Sequence, residues 1–172
     1  MPLIALLLVA ACSGATKPEA EDPEAAPEPA APPPIESLSG PPKPWEEMTF
    51  DERKKYMGEH VMPALGPWFE TYDAERFADF SCDGCHGPDM VERKFAMPNP
   101  SIMALHPTGT AEQKQMVVDH PEMVKFMFNQ VLPAVRTLIG APTYDAETQQ
   151  GFSCYACHPS AAAAPAATAE GT

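Results

Sequence analysis

The sequence predicts a mainly α fold with little or no sheet, and a body built from one unit used twice. Three observations carry this. No stretch alternates apolar and polar residues convincingly, so no strand is signalled. Two long segments carry helix start and stop signals. The flanks of two short cysteine motifs also repeat each other. Tyr72-Asp73-Ala74-Glu75 and Phe80-Ser81 lead into Cys82, while Tyr144-Asp145-Ala146-Glu147 and Phe152-Ser153 lead into Cys154, with a spacing of 10 from Tyr to Cys in both. Further upstream, Val61-Met62-Pro63-Ala64-Leu65 resembles Val131-Leu132-Pro133-Ala134-Val135, and Met57 and Met127 each stand six residues before the proline. Repeat one spans about residues 49–86 and repeat two about residues 121–158.

In chain order, Leu3–Ala11 is a run of nine apolar residues. That is far too short to span a bilayer as a helix and fits the apolar region of a secretory signal. It ends in Val9-Ala10-Ala11-Cys12-Ser13, which resembles the bacterial lipobox, although no Lys or Arg precedes the run. The resemblance implies export, acylation of Cys12, and a lipid anchor on a bacterial membrane facing the periplasm. Ser13 after the cysteine favours the outer membrane. Residues 13–44 are rich in Ala, Pro and Glu, and 11 of the chain's 22 prolines fall between Met1 and Pro44. Such a stretch buries too little apolar surface to fold, and proline and charge keep it extended. It is expected to be a disordered tether for a body at residues 45–158, with a disordered tail at 159–172.

Within the body, the first helix is expected to start near Thr49, because Thr49 and Glu52 have capping-box spacing. Pro63 marks its end or a kink. Residues 87–110 read as a loop rich in Pro, Met and Asn. A short helix is expected from Thr110, with Gln113 at the cap offset. The second long helix is expected from about Pro121 to Ile139, kinked at Pro133 and stopped by Gly140. Asp73 and Asp145 are read as N-caps of the short helices that carry the cysteine motifs. Tyr72 and Tyr144 are expected to pack.

The chemistry lies in Cys82-Asp83-Gly84-Cys85-His86 and Cys154-Tyr155-Ala156-Cys157-His158. With Cys12, these motifs account for all five cysteines. C-x-x-C-H reads as c-type haem attachment. Two thiols three positions apart on one turn can reach the two vinyl groups of one porphyrin, and the next residue then offers its imidazole to the iron. The motifs therefore predict two covalent haem c groups, on Cys82 and Cys85 and on Cys154 and Cys157, with His86 and His158 as axial iron ligands. A thioredoxin-like redox pair would need a βαβ setting that is not visible. A shared zinc would leave both histidines unexplained and would need a 68-residue loop between the pairs.

The other axial position separates electron carriage from gas binding or peroxide chemistry. Downstream of His158 the sequence holds no Met or His, so a sixth ligand there is expected from upstream. Met57 and Met127 are the methionines at matching places in the repeats, 25 and 27 residues before Cys82 and Cys154. They are the expected pair. Met62, Met97, Met103, Met123, His60, His106 and His120 are the alternatives, and Phe95–Pro100 reads as a haem-covering loop. The function expected is electron transfer without catalysis. The competing readings are a small dihaem peroxidase, with His60, His106 or Glu59 as acid or base, and a gas-binding haem sensor.

Residues 49–158 resemble a multihaem c-type cytochrome. The order of helix with Met, turn and C-x-x-C-H is similar to the unit of the tetrahaem cytochrome subunit of photosynthetic reaction centres, which has four motifs where this chain has two. The resemblance implies electron transfer with His–Met ligation. The late second motif also resembles the four-helix class of cytochromes, which the proline breaks fit poorly. Net charge is −13, and residues 45–158 hold 17 acidic and 9 basic residues. A body this acidic repels nucleic acid and suits redox partners with basic docking surfaces.

Overall fold

The computed structural model describes residues 31–163. The expected signal, Cys12, and most of the tether and tail lie outside them. The described chain is mainly helical, with no strand and three isolated bridges, Leu105 to Ser160, Thr143 to Phe152 and Asp145 to Gln150. No helix among the described residues is long and apolar enough to cross a membrane.

The first long helix starts where capping chemistry puts it. Thr49 Oγ1 accepts the Glu52 N–H at 3.3 Å, and the Glu52 carboxylate accepts the Thr49 N–H at 2.7 Å. α1 (Phe50–Tyr56), a π-helical turn (Met57–Val61) and α2 (Met62–Tyr72) then follow without a break. The helix does not end at Pro63. Proline lacks an N–H and its ring crowds the carbonyl four residues back. The chain widens by one turn instead, so that the Met62 N–H bonds the Met57 carbonyl. The second long helix repeats the device ahead of Pro133. α5 (Pro121–Phe126) leads into a π turn (Met127–Val131), the Leu132 N–H bonds the Met127 carbonyl, and α6 (Leu132–Leu138) completes the helix. Apolar spacing agrees with the wide turn. Tyr56 and Val61 are five apart and both buried, and Leu65 and Phe69 follow at steps of four. Phe126 is buried and Val131, five residues on, packs against the core. A five-residue step stays on one face only where a helix is wider than α. Between the long helices, α4 (Ala111–Asp119) starts at Thr110, whose hydroxyl accepts the Gln113 N–H at 3.2 Å.

A small aromatic core joins the helices. Phe69 stacks on Phe80 with ring centroids 4.1 Å apart and meets Phe126 edge-on at 5.1 Å. Tyr72 stacks on Phe126 at 4.4 Å. Each ring fully taken from water contributes about 2 kcal/mol. Phe80 precedes Cys82 by two residues, so the same contacts fasten the approach to the first motif. Tyr144 is exposed, so the packing expected of the tyrosines holds for Tyr72 alone.

The stretch expected to be a tether up to Pro44 belongs to the body from Pro33 onward. Trp68 Nε1–H donates to the Pro33 carbonyl at 3.0 Å, Tyr56 Oη lies 3.3 Å from the Ser39 carbonyl, and Ile35 and Leu38 pack on the core. Average composition hides those two apolar residues among the prolines.

Candidate functional site

α3 (Cys82–His86) carries the first motif. Its N-cap position is Ser81, whose hydroxyl donates to the Asp83 carboxylate. Asp73 is not its cap: it accepts the Arg76 N–H at 3.0 Å in the turn upstream. Asp145 likewise accepts the N–H groups of Glu147 and Thr148 at 2.8 and 3.0 Å in its own turn. Both aspartates lie too far before the motifs to cap them. Gly84 fits because Phe80 lies across it: a Cβ there would stand 2.6 Å from the Phe80 ring.

The short helix expected at the second motif is a 3-10 turn (Cys154–Ala156), where the first motif is α-helical. Pro159 disfavours helical backbone at His158. Gly151 approaches with φ +103°, so close to the preceding strand of chain that a Cβ would stand 2.3 Å from the Thr143 carbonyl. The first motif is followed instead by Gly87, which imposes no such limit.

The loop 87–110 frames both motifs. Asn99 is fully buried. Its backbone N–H donates to the Cys157 carbonyl at 2.9 Å, its Nδ2 donates to the Cys85 carbonyl at 3.1 Å, and its Oδ1 accepts the Ser101 N–H at 2.8 Å. Arg93 braces the loop by donating to the Ala96 and Pro98 carbonyls at 2.7 and 2.8 Å and to the His86 carbonyl at 3.4 Å. Further along, the Leu105 N–H donates to the Pro159 carbonyl at 2.8 Å, and Tyr155 Oη donates to the His106 carbonyl at 2.9 Å. Phe95–Pro100, expected to cover a cofactor, clasps the two motif backbones together through Asn99. The sequence reading missed Asn99, Arg93 and Gly87. The only available signal was a polar Asn inside a Pro-rich segment.

The motif side chains are held in the forms that a covalent haem would need. All four motif cysteines are free thiols. Burial, followed by the nearby Cys157, Cys82 and Asp83, pushes the Cys85 thiol up to about 12. Burial and then Cys154 push Cys157 up to about 11, and burial raises Cys154. His158 Nδ1 stands 2.9 Å from the Met103 carbonyl. A carbonyl there selects the Nδ1–H tautomer and leaves Nε2 as a free donor to a metal. His86 is held below the usual histidine range, first by burial and then by Arg93, against an opposing pull from the Phe95 backbone. Its Nδ1 is buried without a properly formed hydrogen bond, Phe95 notwithstanding. A neutral imidazole is the ligating form. Among the described residues no three His, Cys, Asp or Glu side chains converge on one point to hold a bare ion. Each motif instead presents its own two thiols and imidazole, which is the donor set a covalent haem requires.

Met57 and Met127 are half-buried and pack against the apolar core, each at the first position of its π turn. Met123 packs there too, and Met62 and Met97 are half-buried. Met103 stands behind His158 by its carbonyl, with its side chain exposed. The Phe95 ring meets His86 edge-on at 5.4 Å, and Lys54 Nζ lies 5.7 Å from the Phe95 ring, so the first motif adjoins α1 one turn before Met57. His60 is exposed with its ring 4.6 Å from Tyr56, His120 is exposed between α4 and α5, and Glu59 is exposed. No known protein family matches this chain, and no curated protein or solved structure is significantly similar to it.

Proposed function

We propose that this protein is a dihaem c-type cytochrome that carries electrons. One haem is held by Cys82, Cys85 and His86, the other by Cys154, Cys157 and His158. Each, when bound, supplies a one-electron iron couple. The observation that carries the reading is a pair of complete Cys–Cys–His sets, with free thiols, fastened to one loop. The chain's own residues do the rest. The thiols fix each porphyrin to its motif, and the Met103 carbonyl orients His158. Burial, with Arg93 nearby, favours the neutral form of the His86 ring. Met57 and Met127 complete the coordination as sixth ligands, a reading supported by their matched places on twin π turns, since π turns recur at functional sites. Cys12 carries a lipid that holds the protein to a bacterial membrane, facing the periplasm, where basic redox proteins dock on its acidic surface. Of the three side chains named for a peroxidase, His60 and Glu59 are exposed on the π turn, and His106 is half-buried in the loop before α4.

The test is a haem count with optical spectra on protein made in a host that attaches haem c. Two haems per chain, low-spin when oxidised and reduced, are expected. A weak far-red band from methionine–iron charge transfer should halve in Met57→Ala and in Met127→Ala. A high-spin spectrum that shifts on adding carbon monoxide or peroxide would point to an open iron and the peroxidase or sensor reading. Absence of covalent haem would reject the assignment.

A further inference from the structure

We infer that Asn99 is a positioning residue that sets the spacing of the two haems, and through it their redox interaction. The inference rests on the dihaem reading. Its basis is one residue that joins two matching motifs far apart in sequence, one through its side chain and the other through its main chain. Cys85 and Cys157 are the second cysteines of the two motifs: the Asn99 side-chain Nδ2 donates to the Cys85 carbonyl at 3.1 Å, and the Asn99 backbone N–H donates to the Cys157 carbonyl at 2.9 Å. Its remaining acceptor is engaged by the Ser101 N–H. A fully buried amide with its groups satisfied costs little to keep and much to disturb, because a partner left unpaired in the interior loses its hydrogen bond without regaining water. The tie therefore resists sliding of one motif against the other. The chain is shaped around it. Gly87, directly after His86, has φ +89°, and a Cβ there would stand 2.7 Å from Asn99 Oδ1. The backbone can pass over the amide only where no side chain intervenes.

The consequence is electrostatic. Two irons held near each other in a low-dielectric body feel each other's charge, so gaining the first electron makes the second harder to add. Loosening the tie lets the motifs separate, and the interaction falls. Asn99 touches neither iron nor ligand atoms in this scheme and acts only through the two cysteine carbonyls.

The experiment uses the full-length protein with haem attached, as wild type, Asn99→Ala and Gly87→Ala. Neither substitution changes net charge, and the second pushes on Asn99 from the opposite side. Haem count serves as the control for folding. Potentiometric titration gives the separation of the two reduction waves, and electron paramagnetic resonance of the oxidised protein reports spin coupling between the irons. The wild type should titrate in two separated waves with coupled spectra, and both variants should retain two haems with a smaller separation and weaker coupling. Two-haem variants that match the wild type in both readouts would overturn the role of Asn99. A wild type with two haems, coincident waves and uncoupled spectra would overturn it without recourse to any variant. A wild type lacking covalent haem would instead overturn the function on which it rests.

Discussion

Burial acts on the motif cysteines before any cofactor does. In the haem-free chain the Cys85 thiol sits at about 12 and Cys157 at about 11, against an ordinary value of 9. The folded state therefore holds these protons more tightly than the unfolded chain. That contribution to stability is complete below pH 9 and is lost as pH climbs toward 12. Haem-free protein should show a falling urea midpoint as pH rises above 9, and Cys85 and Cys157 should resist alkylation until denaturant is added, as read by mass spectrometry of the labelled peptides. Rapid labelling in the native state would mean that the thiols are open to solvent. The motif cysteines and histidines stand out in the sequence because the proposed covalent attachment would demand their types at a fixed spacing. Asn99 and the Met103 carbonyl were not. A backbone carbonyl can come from any residue, so the group that orients His158 leaves no mark on the chain.

Elements declare themselves where local chemistry is self-contained. The Thr49–Glu52 box, the Thr110 cap and the stop before Gly140 were all readable, since each involves neighbours in sequence. Thr49→Ala should cost about 1 kcal/mol in denaturant unfolding of the holo-protein. The π turns were read only as a break or kink, because the proline signal alone does not distinguish ending a helix from widening it. The five-residue step from Tyr56 to Val61, two residues before Pro63, carries the missing information, and Phe126, Val131 and Pro133 repeat it. The turns that carry the two cysteine motifs diverge where their flanks do, with Gly87 after one motif and Pro159 after the other. Gly151 is the point of closest approach in the second unit, where φ is +103° and a Cβ would collide with the Thr143 carbonyl. Gly151→Ala should therefore lower the haem count from two toward one by disturbing Cys154 and Cys157 alone. Peptide mass mapping would show haem retained on Cys82 and Cys85, whereas a count still at two would mean that the turn relaxes without moving the motif.

At the scale of the whole molecule, packing and charge act together. The paired helices supply the core that holds the first motif through Phe80, and the loop between the repeats ties that motif to the second. Such a body is acidic over its length, with 17 acidic against 9 basic residues in 45–158. Haem propionates would add to that excess. Charge of one sign steers an oppositely charged protein into encounter, and salt removes the effect as the screening length falls from about 30 Å at 0.01 M to about 3 Å at 1 M. The bimolecular rate of electron transfer from the reduced protein to a basic protein oxidant should accordingly fall about tenfold or more over that range, measured by stopped-flow. An acidic oxidant of similar potential should be slow at low salt and speed up as salt is added. A rate to the basic oxidant that ignores salt would mean that the surface charge serves solubility alone and that docking depends on apolar contact near the haem edges. In that case Phe50, half exposed beside Phe95 and the first motif, would be the residue to truncate next.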